Sequence, residues 1–517
     1  MKKILSICFK KMPFKGLGLA LLLGSMVSSC DKDFDDLNIN QTAATAINPV
    51  FILNNATINS SFTTGSVLYE MGIVQQVVSP NSGVLTGANF NQDNRDNTVQ
   101  NWQKYYRTVI RNTQDVINQT KTLPTRTNLT NMARILQANA FMVLTDSYGD
   151  VPYVDAGKGY TDQIFLPKYD TQQSIYAAVI KELTEATAAL DATKTVETAD
   201  VLYGGNVVLW KKFGNSLLLR AGMRLSKVDA AQAQQVVAKA AQGGVMDVNS
   251  DNAFIRHDAN YVNAIGNMLN STEAANIYLA APFANYLKQT NDPRLKSIAV
   301  RYVGAKSGPE QTAAKANTDP SVQIGMPFGF DNSSINSEVT KSGLASFYDF
   351  SQVDRTRMVK NTAPIFLVTA AQSQLLLAEA AQRGWVTGTT AEAYYNKGVR
   401  LHMEQMAAYD AKSAVTTAEA DAYLTANPYN AAKALEQINT QYWIASFLNG
   451  PEAFANFRRS GFPILTPNPF SGKSIKGTFI RRLTYPNSEI SVNKANVDAA
   501  IGRQGADDLD TKVWWDK

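Results

Sequence analysis

The sequence has very little histidine and cysteine, the residues on which most zinc sites and many active sites depend. Its 517 residues include only His257 and His402, and neither has a second histidine or a cysteine close by, so a zinc enzyme is not expected. The chain contains no G-x-S-x-G motif, which argues against a serine hydrolase. At Gly472–Ser474, a phosphate-binding loop would need its first glycine where the sequence has Pro467. No cofactor and no metal site are predicted, although a structural calcium ion stays open.

Charged residues are also scarce, at 18% of the chain against a usual value of about 25%. The full chain has 49 basic and 44 acidic residues, and five lysines before residue 16 account for the whole difference. The rest of the chain is therefore formally neutral. Since a protein that binds nucleic acid needs a basic face, that class is not expected.

Long apolar runs are missing as well. The run Gly16–Val27 has 12 residues, whereas a membrane-spanning helix needs about 20. Because the five lysines precede this run, residues 1–29 are predicted to be a signal peptide. Translation from Met12 instead of Met1 would leave a shorter charged leader, and the sequence leaves both starts open.

The leader ends in a pattern that resembles a bacterial lipobox. The residues Val27-Ser28-Ser29 precede Cys30, which is the predicted site of lipidation by diacylglycerol and fatty acid. The alternative is an ordinary secreted chain with a chance cysteine. The only other cysteine, Cys8, lies in the leader, so the mature chain has no disulfide to form.

An acidic segment follows the predicted anchor, with four acids in the six residues Asp31–Asp36. It resembles the surface-export signal of Bacteroidetes lipoproteins, and a solvated linker is the alternative. Residues 30–45 are therefore predicted to be a tether, and residues 46–517 a single domain. The predicted location is the outer membrane, with the domain exposed at the cell surface.

Helical periodicity dominates from about residue 100 onward. One apolar stripe has steps of four, four, three and four residues, formed by Ile175, Val179, Leu183, Ala186 and Leu190. Such steps place side chains on one face of an amphipathic helix. Asp170 is its predicted N-cap, with Gln173 in the capping-box position.

Comparable patterns predict further helices, over Asn101–Lys121, Leu129–Ser147, Val207–Lys227, Ala230–Ala241, Ala363–Arg383, Ala391–Ala408 and Ala431–Leu448. Thr362 and Gly384 are the predicted caps of the Ala363 helix, with Pro364 in its first turn. Several of these helices run in pairs with short connectors. The predicted fold class is therefore mainly α, with stacked helix pairs and few short strands.

Two stretches lack this periodicity, at about residues 60–101 and 243–361. Aromatic residues are interspersed there with Asn, Asp and Gly, which is typical of functional loops. Both stretches are predicted to be irregular and to face a ligand or a partner. The candidate ligand-binding residues in them are Phe90, Asn91, Arg95, Tyr261, Asn263 and Phe328. For each of these residues, the alternative is a packed or surface position without a ligand.

Several blocks, spread over essentially the whole chain, resemble the SusD/RagB family of nutrient-binding outer-membrane lipoproteins, especially its SusD-like branch. They are Tyr148–Tyr153, Trp210–Leu217, Leu377–Trp385, Gln441–Pro463, Arg481–Pro486 and Thr511–Lys517. Most are interpreted as structural: the aromatic residues Trp443, Phe447, Phe454 and Phe457 are predicted to be core. Arg458 and Arg459 are predicted to hold a turn or a carboxylate inside the fold.

This resemblance implies tetratricopeptide-like helix pairs and an irregular region that faces a ligand. It also implies a partner, a SusC-like TonB-dependent barrel, to which the lipoprotein delivers an oligosaccharide or a peptide. No ligand-binding residue is transferred from the family, because no motif in this chain matches one. Two alternatives stay open: a lipid-anchored surface glycosidase, for which 44 acidic residues offer many carboxylate pairs, and a surface scaffold or adhesin.

Overall fold

Helices form most of the described chain. The computed structural model describes residues 47–81 and 83–517, without the side chains of residues 83–86. The predicted signal peptide, the lipidation site Cys30 and the whole predicted tether with its acidic segment lie outside these residues. Residues Pro49–Lys517 cluster into one compact unit. In the described part of the chain, no helix combines the length and the apolarity that crossing a membrane requires.

The helices and strands are named here in chain order. The α-helices are α1 (Pro49–Asn59), α2 (Thr64–Ile73), α3 (Gly83–Phe90), α4 (Arg95–Lys104), α5 (Arg111–Thr120), α6 (Thr127–Tyr148), α7 (Gln172–Ala189), α8 (Val207–Arg224), α9 (Ala230–Gly243), α10 (Ala264–Leu269), α11 (Ala281–Gln289), α12 (Arg294–Ile298), α13 (Asn336–Lys341), α14 (Ala370–Gln382), α15 (Ala391–Gln405), α16 (Thr417–Ala426), α17 (Ala434–Ala445), α18 (Gly450–Ser460), α19 (Asn487–Val492) and α20 (Lys494–Gln504). A π-helical turn, Tyr105–Ile110, joins α4 to α5. The strands are β1 (Val77–Val78), β2 (Ala253–Ile255), β3 (Tyr278–Leu279), β4 (Ala299–Tyr302), β5 (Ala316–Asn317), β6 (Gln352–Val353) and β7 (Ile365–Val368).

Consecutive helices pack in pairs, which confirms the predicted fold class. α6 packs on α7, α8 on α9, and α14 on α15, and further contacts of α8 with α7 and α14 join the pairs. Local sequence sets the helix ends: Asn206 accepts hydrogen bonds from two backbone N–H groups at the start of α8. At the end of α18, Gly461 adopts the left-handed backbone that stops a helix (φ 80°). The predicted core residues Trp443, Phe447, Phe454 and Phe457 are all buried.

Three predicted helix starts are wrong, and one of them is the helix predicted from Asn101, which begins at Arg95 as α4. The helix predicted from Ala363 begins at Ala370, where Thr369 and Gln372 form a capping box. The residues before it, Ile365–Val368, form β7 and pair antiparallel with β2. At α7 the N-cap is Thr171, because the carboxylate of Asp170 accepts hydrogen bonds from the backbone of residues 153 and 154 instead.

The stretch 60–101, predicted to be irregular, contains α2, α3 and the start of α4. The prediction failed at α2 because that helix is buried on all sides, from Gly65 to Ile73. A helix without a solvent-facing side carries no amphipathic periodicity, so its sequence gives no helical signal. The stretch 243–361 does consist largely of loops and short elements, as predicted.

Within that stretch, short strands build an antiparallel sheet in the order β1-β3-β6-β4-β5. The edge strand β1 comes from the chain directly after α2. A second, smaller core lies beside this sheet and includes Val78, Tyr278, Met326, Phe328 and Phe350. This small core therefore joins the sheet to residues 324–350 of the irregular region.

The C-terminal segment closes the main core against α6. The buried ring of Trp515 donates its Nε1–H to Asp146 Oδ1 at 3.0 Å. The same carboxylate accepts Arg224 Nε at 3.1 Å, and Arg458 Nη2 donates to the Asp146 carbonyl at 2.7 Å. Trp515, Arg224 and Arg458, from three distant parts of the chain, thus bind one buried acidic residue.

Glu70, fully buried in α2, is expected to make the free energy of unfolding fall as pH rises. Its Oε1 accepts the Ser147 hydroxyl at 2.9 Å. Burial raises the pKa of Glu70 from 4.5 to about 8, against the lowering effects of Ser147 and Arg458. The folded state therefore binds one more proton than the unfolded state between these pH values. The free energy of unfolding consequently falls over that window, by at most about 1.4 kcal/mol per pH unit.

The variant Glu70→Gln is expected to remove this dependence, so that it gains stability relative to the wild type as pH rises from 5 to 8. Urea denaturation at each pH measures the difference, and the exposed Glu392→Gln serves as control. Parallel pH profiles of wild type and Glu70→Gln would contradict the assignment.

Candidate functional site

Three segments that are remote in sequence meet next to the small core. They are residues 87–92 at the end of α3, residues 326–333, and residues 466–474, and together they are called the three-loop surface. Gln92 Nε2 donates to the Gly472 carbonyl at 2.9 Å, and the Ser474 backbone N–H donates to the Asn91 carbonyl at 3.0 Å. The three-loop surface is therefore held by polar contacts between its own segments.

Asn89 is the residue that joins all three segments. Its Nδ2 donates to the Phe330 carbonyl at 2.8 Å, and its Oδ1 accepts the Gly329 N–H at 2.9 Å. Its backbone carbonyl accepts the side-chain amide of Asn468. Gly329 has a positive φ of 86°, and a Cβ there would lie 2.8 Å from Asn468 Oδ1. This close approach and backbone conformation both require glycine at that position.

Two aromatic rings are stacked on the three-loop surface. The centroids of Phe90 and Phe470 lie 4.1 Å apart, with an angle of 21° between the ring planes. Both rings are half-buried, as is Phe330 in the middle segment. Half-exposed rings in a fixed arrangement offer flat apolar faces on which the C–H face of a sugar can stack.

The polar groups around the rings are of two kinds. Asn91 is buried with a backbone φ of 51°, and within residues 47–81 and 83–517 nothing accepts a hydrogen bond from its Nδ2. Asp331, in contrast, accepts four hydrogen bonds from the backbone and hydroxyl groups of Ser333 and Ser334. These bonds lower the pKa of Asp331 below its usual range, so it stays an acceptor.

Of the predicted site residues, Phe90 and Asn91 lie on the three-loop surface. Phe328 is in its middle segment but is buried in the small core. Arg95 lies just beyond the first segment, where it binds Asp507 and Asp93, both at 2.8 Å, and the Tyr485 carbonyl at 2.6 Å. Burial lowers the pKa of Arg95, but the two carboxylates outweigh it and raise the pKa above its usual value.

Tyr261 and Asn263 make their contacts elsewhere. The Tyr261 hydroxyl donates to the Ile58 carbonyl at 3.0 Å, and its ring stacks on His257 with centroids 4.9 Å apart. Asn263 caps α10 and donates to the Ala363 carbonyl at 2.9 Å. The structure therefore does not place these two residues with Phe90 and Asn91.

Sequence reasoning missed Asn89, Asn468 and Phe470. Asn89 directly precedes the predicted residues Phe90 and Asn91, and this adjacency could have marked it as a candidate. The segment that carries Asn468 and Phe470 follows α18 and lies between the blocks Gln441–Pro463 and Arg481–Pro486, which are interpreted as mostly structural. Nothing local in the sequence marks it as a neighbour of residue 89.

The variant Asn89→Ala is expected to lower the free energy of unfolding by about 1–3 kcal/mol, because it leaves the Gly329 N–H and the Phe330 carbonyl without their side-chain partner. Urea denaturation measures the loss, and hydrogen exchange at the Gly329 amide is expected to become faster. Asn332→Ala, an exposed residue in the same segment, is the matched control. Equal effects of the two variants would show that Asn89 does not join the segments.

A larger recess, of about 730 Å³, lies between α11 and α16. Its polar groups already bind one another: Lys296 pairs with Glu419, and Lys288 donates to the carbonyls of Ser321 and Gln323. These side chains are therefore not free to bind a ligand, and the recess is not the preferred candidate site. Among the described residues, no group of three or more His, Cys, Asp or Glu side chains could hold a metal ion.

The architecture defines a mainly α protein with tetratricopeptide-like helix pairs and a separate irregular region. The chain belongs to the SusD-like family described as "starch-binding associating with outer membrane", which matches residues 40–486. No curated protein matches the chain by sequence.

Solved structures agree with this family. A protein titled "chitin-binding protein" is 31% identical, with a TM-score of 0.80, and the match covers 91% of this chain and 100% of that one. A SusD-like protein from Bacteroidetes is 27% identical, with a TM-score of 0.79 and coverage of 91% and 100%. A chitin-binding SusD homolog from Flavobacterium johnsoniae is 25% identical, with a TM-score of 0.72 and coverage of 91% and 97%.

Proposed function

We propose that this protein is a cell-surface lipoprotein that binds an oligosaccharide at the three-loop surface and delivers it to a SusC-like TonB-dependent transporter. The observation that carries the proposal is the stacked pair Phe90 and Phe470, held in place by Asn89. A rigid aromatic platform loses little conformational entropy when a sugar stacks on it.

The relatives support a glycan as the ligand rather than a peptide. The family description names starch, and two of the similar structures are titled as chitin-binding. The probes of choice are therefore maltohexaose and chitohexaose. If neither sugar binds, a peptide becomes the favoured class of ligand.

The carboxylates at the three-loop surface favour binding over hydrolysis. A glycosidase needs one carboxylic acid with a raised pKa as proton donor. The pKa of Asp331 is lowered, and Asp93, just beyond the first segment, is bound by Arg95 and by the Thr484 hydroxyl at 2.7 Å. Chromatography of either hexasaccharide after incubation with the protein is expected to show no shorter product. New oligosaccharides in that assay would support the glycosidase alternative.

The anchoring and the domain division are parts of the same proposal. Residues 1–29 act as the signal peptide, Cys30 carries the lipid, residues 30–45 form the tether, and residues 46–517 form one domain. The lipid holds the protein at the outer membrane, where the family description places its members. Mass spectrometry of the mature N-terminus is expected to find a diacylated Cys30.

The partner is tested by purifying the protein from gently solubilised outer membranes through a C-terminal tag. A TonB-dependent barrel is expected to co-purify in near-stoichiometric amount. Recovery of the lipoprotein alone, under conditions in which a known transporter pair survives, would contradict the delivery role and favour a scaffold or adhesin.

A further inference from the structure

A second recess, of about 380 Å³, opens at the other end of α4 from the three-loop surface. It lies between the residues around Trp102, the loop 152–167, and Ser488–Glu489 at the start of α19. It is called the Trp102 recess. Since α4 rises about 1.5 Å per residue, its ends are roughly 12–15 Å apart, and the two sites are separate.

The apolar side of the Trp102 recess is aromatic. The rings of Trp102 and Tyr106 lie 4.9 Å apart, and the Tyr106 hydroxyl donates to the Pro152 carbonyl at 2.7 Å, which fixes that ring. Phe165 stands on the opposite loop with 76% of its surface exposed. Trp102 is only 4% exposed, so Tyr106 and Phe165 are the rings that a ligand in the recess can reach. An exposed ring such as Phe165 is unfavourable in water, and a ligand that covers it removes this cost.

The polar side of the Trp102 recess has unused hydrogen-bonding capacity. Within the described part of the chain, the side chains of Gln103 and Arg107 have no hydrogen-bond or ion-pair partner, although both line the recess. Asp155 and Glu489 each use one carboxylate oxygen, to accept the Lys168 N–H at 3.1 Å and the Tyr169 hydroxyl at 2.9 Å. Their second oxygens accept no hydrogen bond from any described residue.

We propose that the Trp102 recess binds a hexopyranose unit of a neutral glycan. It is a second subsite that binds independently of the three-loop surface. A sugar ring presents a C–H face to the rings of Tyr106 and Phe165 and hydroxyls to the rim, which matches this division of apolar and polar walls. The amide, the guanidinium and the two carboxylates offer both donors and acceptors, as hydroxyls require. Charges of both signs line the rim, so a ligand of strong net charge gains no preference there.

This inference rests on the proposed function, and its test separates the two. Phe165 is replaced by 4-trifluoromethylphenylalanine, and its fluorine resonance is followed while chitohexaose or maltohexaose is added. Calorimetry with the same sugars measures total binding. We expect a saturable shift with at least one sugar, which persists when Phe90→Ala and Phe470→Ala remove the three-loop platform. The double variant Gln103→Ala/Arg107→Ala is expected to lower the affinity measured from this shift at least about tenfold, because two hydrogen bonds to the sugar are lost.

Each other outcome overturns the inference in a distinct way. Heat of binding without a fluorine shift would leave the proposed function intact and overturn the second subsite. A shift that disappears with the three-loop platform would show that the recess does not bind the sugar by itself and only responds to binding at the first site. A shift caused by a co-purified barrel protein, and by neither sugar, would identify a protein contact instead. No heat and no shift with either sugar would overturn the glycan function and the second subsite together.

Discussion

Arg459→Gln is expected to lower the free energy of unfolding by about 3–5 kcal/mol, the usual cost of leaving a buried charge without its partner. The two Nη atoms of Arg459 donate to the two carboxylate oxygens of Glu379 at 2.8 and 2.7 Å, and both side chains are only 1% exposed. The prediction from sequence that Arg459 holds a carboxylate inside the fold is confirmed. Removal of the guanidinium leaves Glu379 buried with Asn439 and the half-exposed Arg383.

Arg383→Gln is the matched control, because it removes the same group from the same carboxylate at a more exposed position. Arg383 binds Glu379 Oε1 at 2.8 Å but is 30% exposed, so its loss is expected to cost about 1 kcal/mol or less. Urea denaturation of both variants at pH 7 measures the difference. Equal losses would show that burial does not set the strength of this ion pair.

The same carboxylate gives a pH test with a definite sign. Burial alone raises the pKa of Glu379, but Arg459 outweighs it, with help from Arg383, and lowers the pKa from 4.5 to about 2. The stability that this shift contributes is present above pH 4.5 and is lost as pH falls towards 2. Arg459→Gln is therefore expected to show a smaller loss of stability than the wild type over that acid window.

Replacement of both Phe90 and Phe470 by alanine is expected to weaken binding of the preferred hexasaccharide by roughly 30- to 100-fold, or about 2–3 kcal/mol. The loss follows from the removal of both faces on which the sugar stacks, while Asn89 still joins the three segments. Isothermal titration with chitohexaose and maltohexaose gives the affinities. Each single variant is expected to have an intermediate effect.

Phe51→Ala provides the matched control for this experiment, since Phe51 is 56% exposed on α1 and lies outside the three-loop surface. Thermal denaturation of all variants separates loss of the platform from loss of the fold. If the double variant binds both sugars as tightly as Phe51→Ala, the three-loop surface is not the binding site.

Helices with one solvent-facing side could be predicted from the sequence, and others could not. The apolar stripe of α7 recurs at helical steps because one face packs on α6 and α8 and the other meets water. α2 has no such contrast, and its buried polar residues, such as Glu70, weakened the signal further. The start of α14 was misplaced because Ile365–Val368 is apolar whether it forms a strand or a helix.

The candidate site was predicted only in part, for a related reason. Aromatic and amide residues in one segment, Phe90 and Asn91, can be recognised locally. Their partners in residues 466–474 lie about 380 residues away, as in the bond from Gln92 to Gly472. No local pattern records such a contact. The same holds for Arg95, whose partner Asp507 is 412 residues distant.

The link between Trp515 and Asp146 also bears on when the chain can fold. The two residues are separated by 369 positions, so this buried contact of Asp146 can form only after 369 further residues have been synthesised. Contacts between such distant residues also form slowly, because a long loop must close first. The main core cannot be complete before residue 515 is made. For a protein exported as proposed here, the segment around Asp146 therefore leaves the ribosome while its buried carboxylate still lacks this partner.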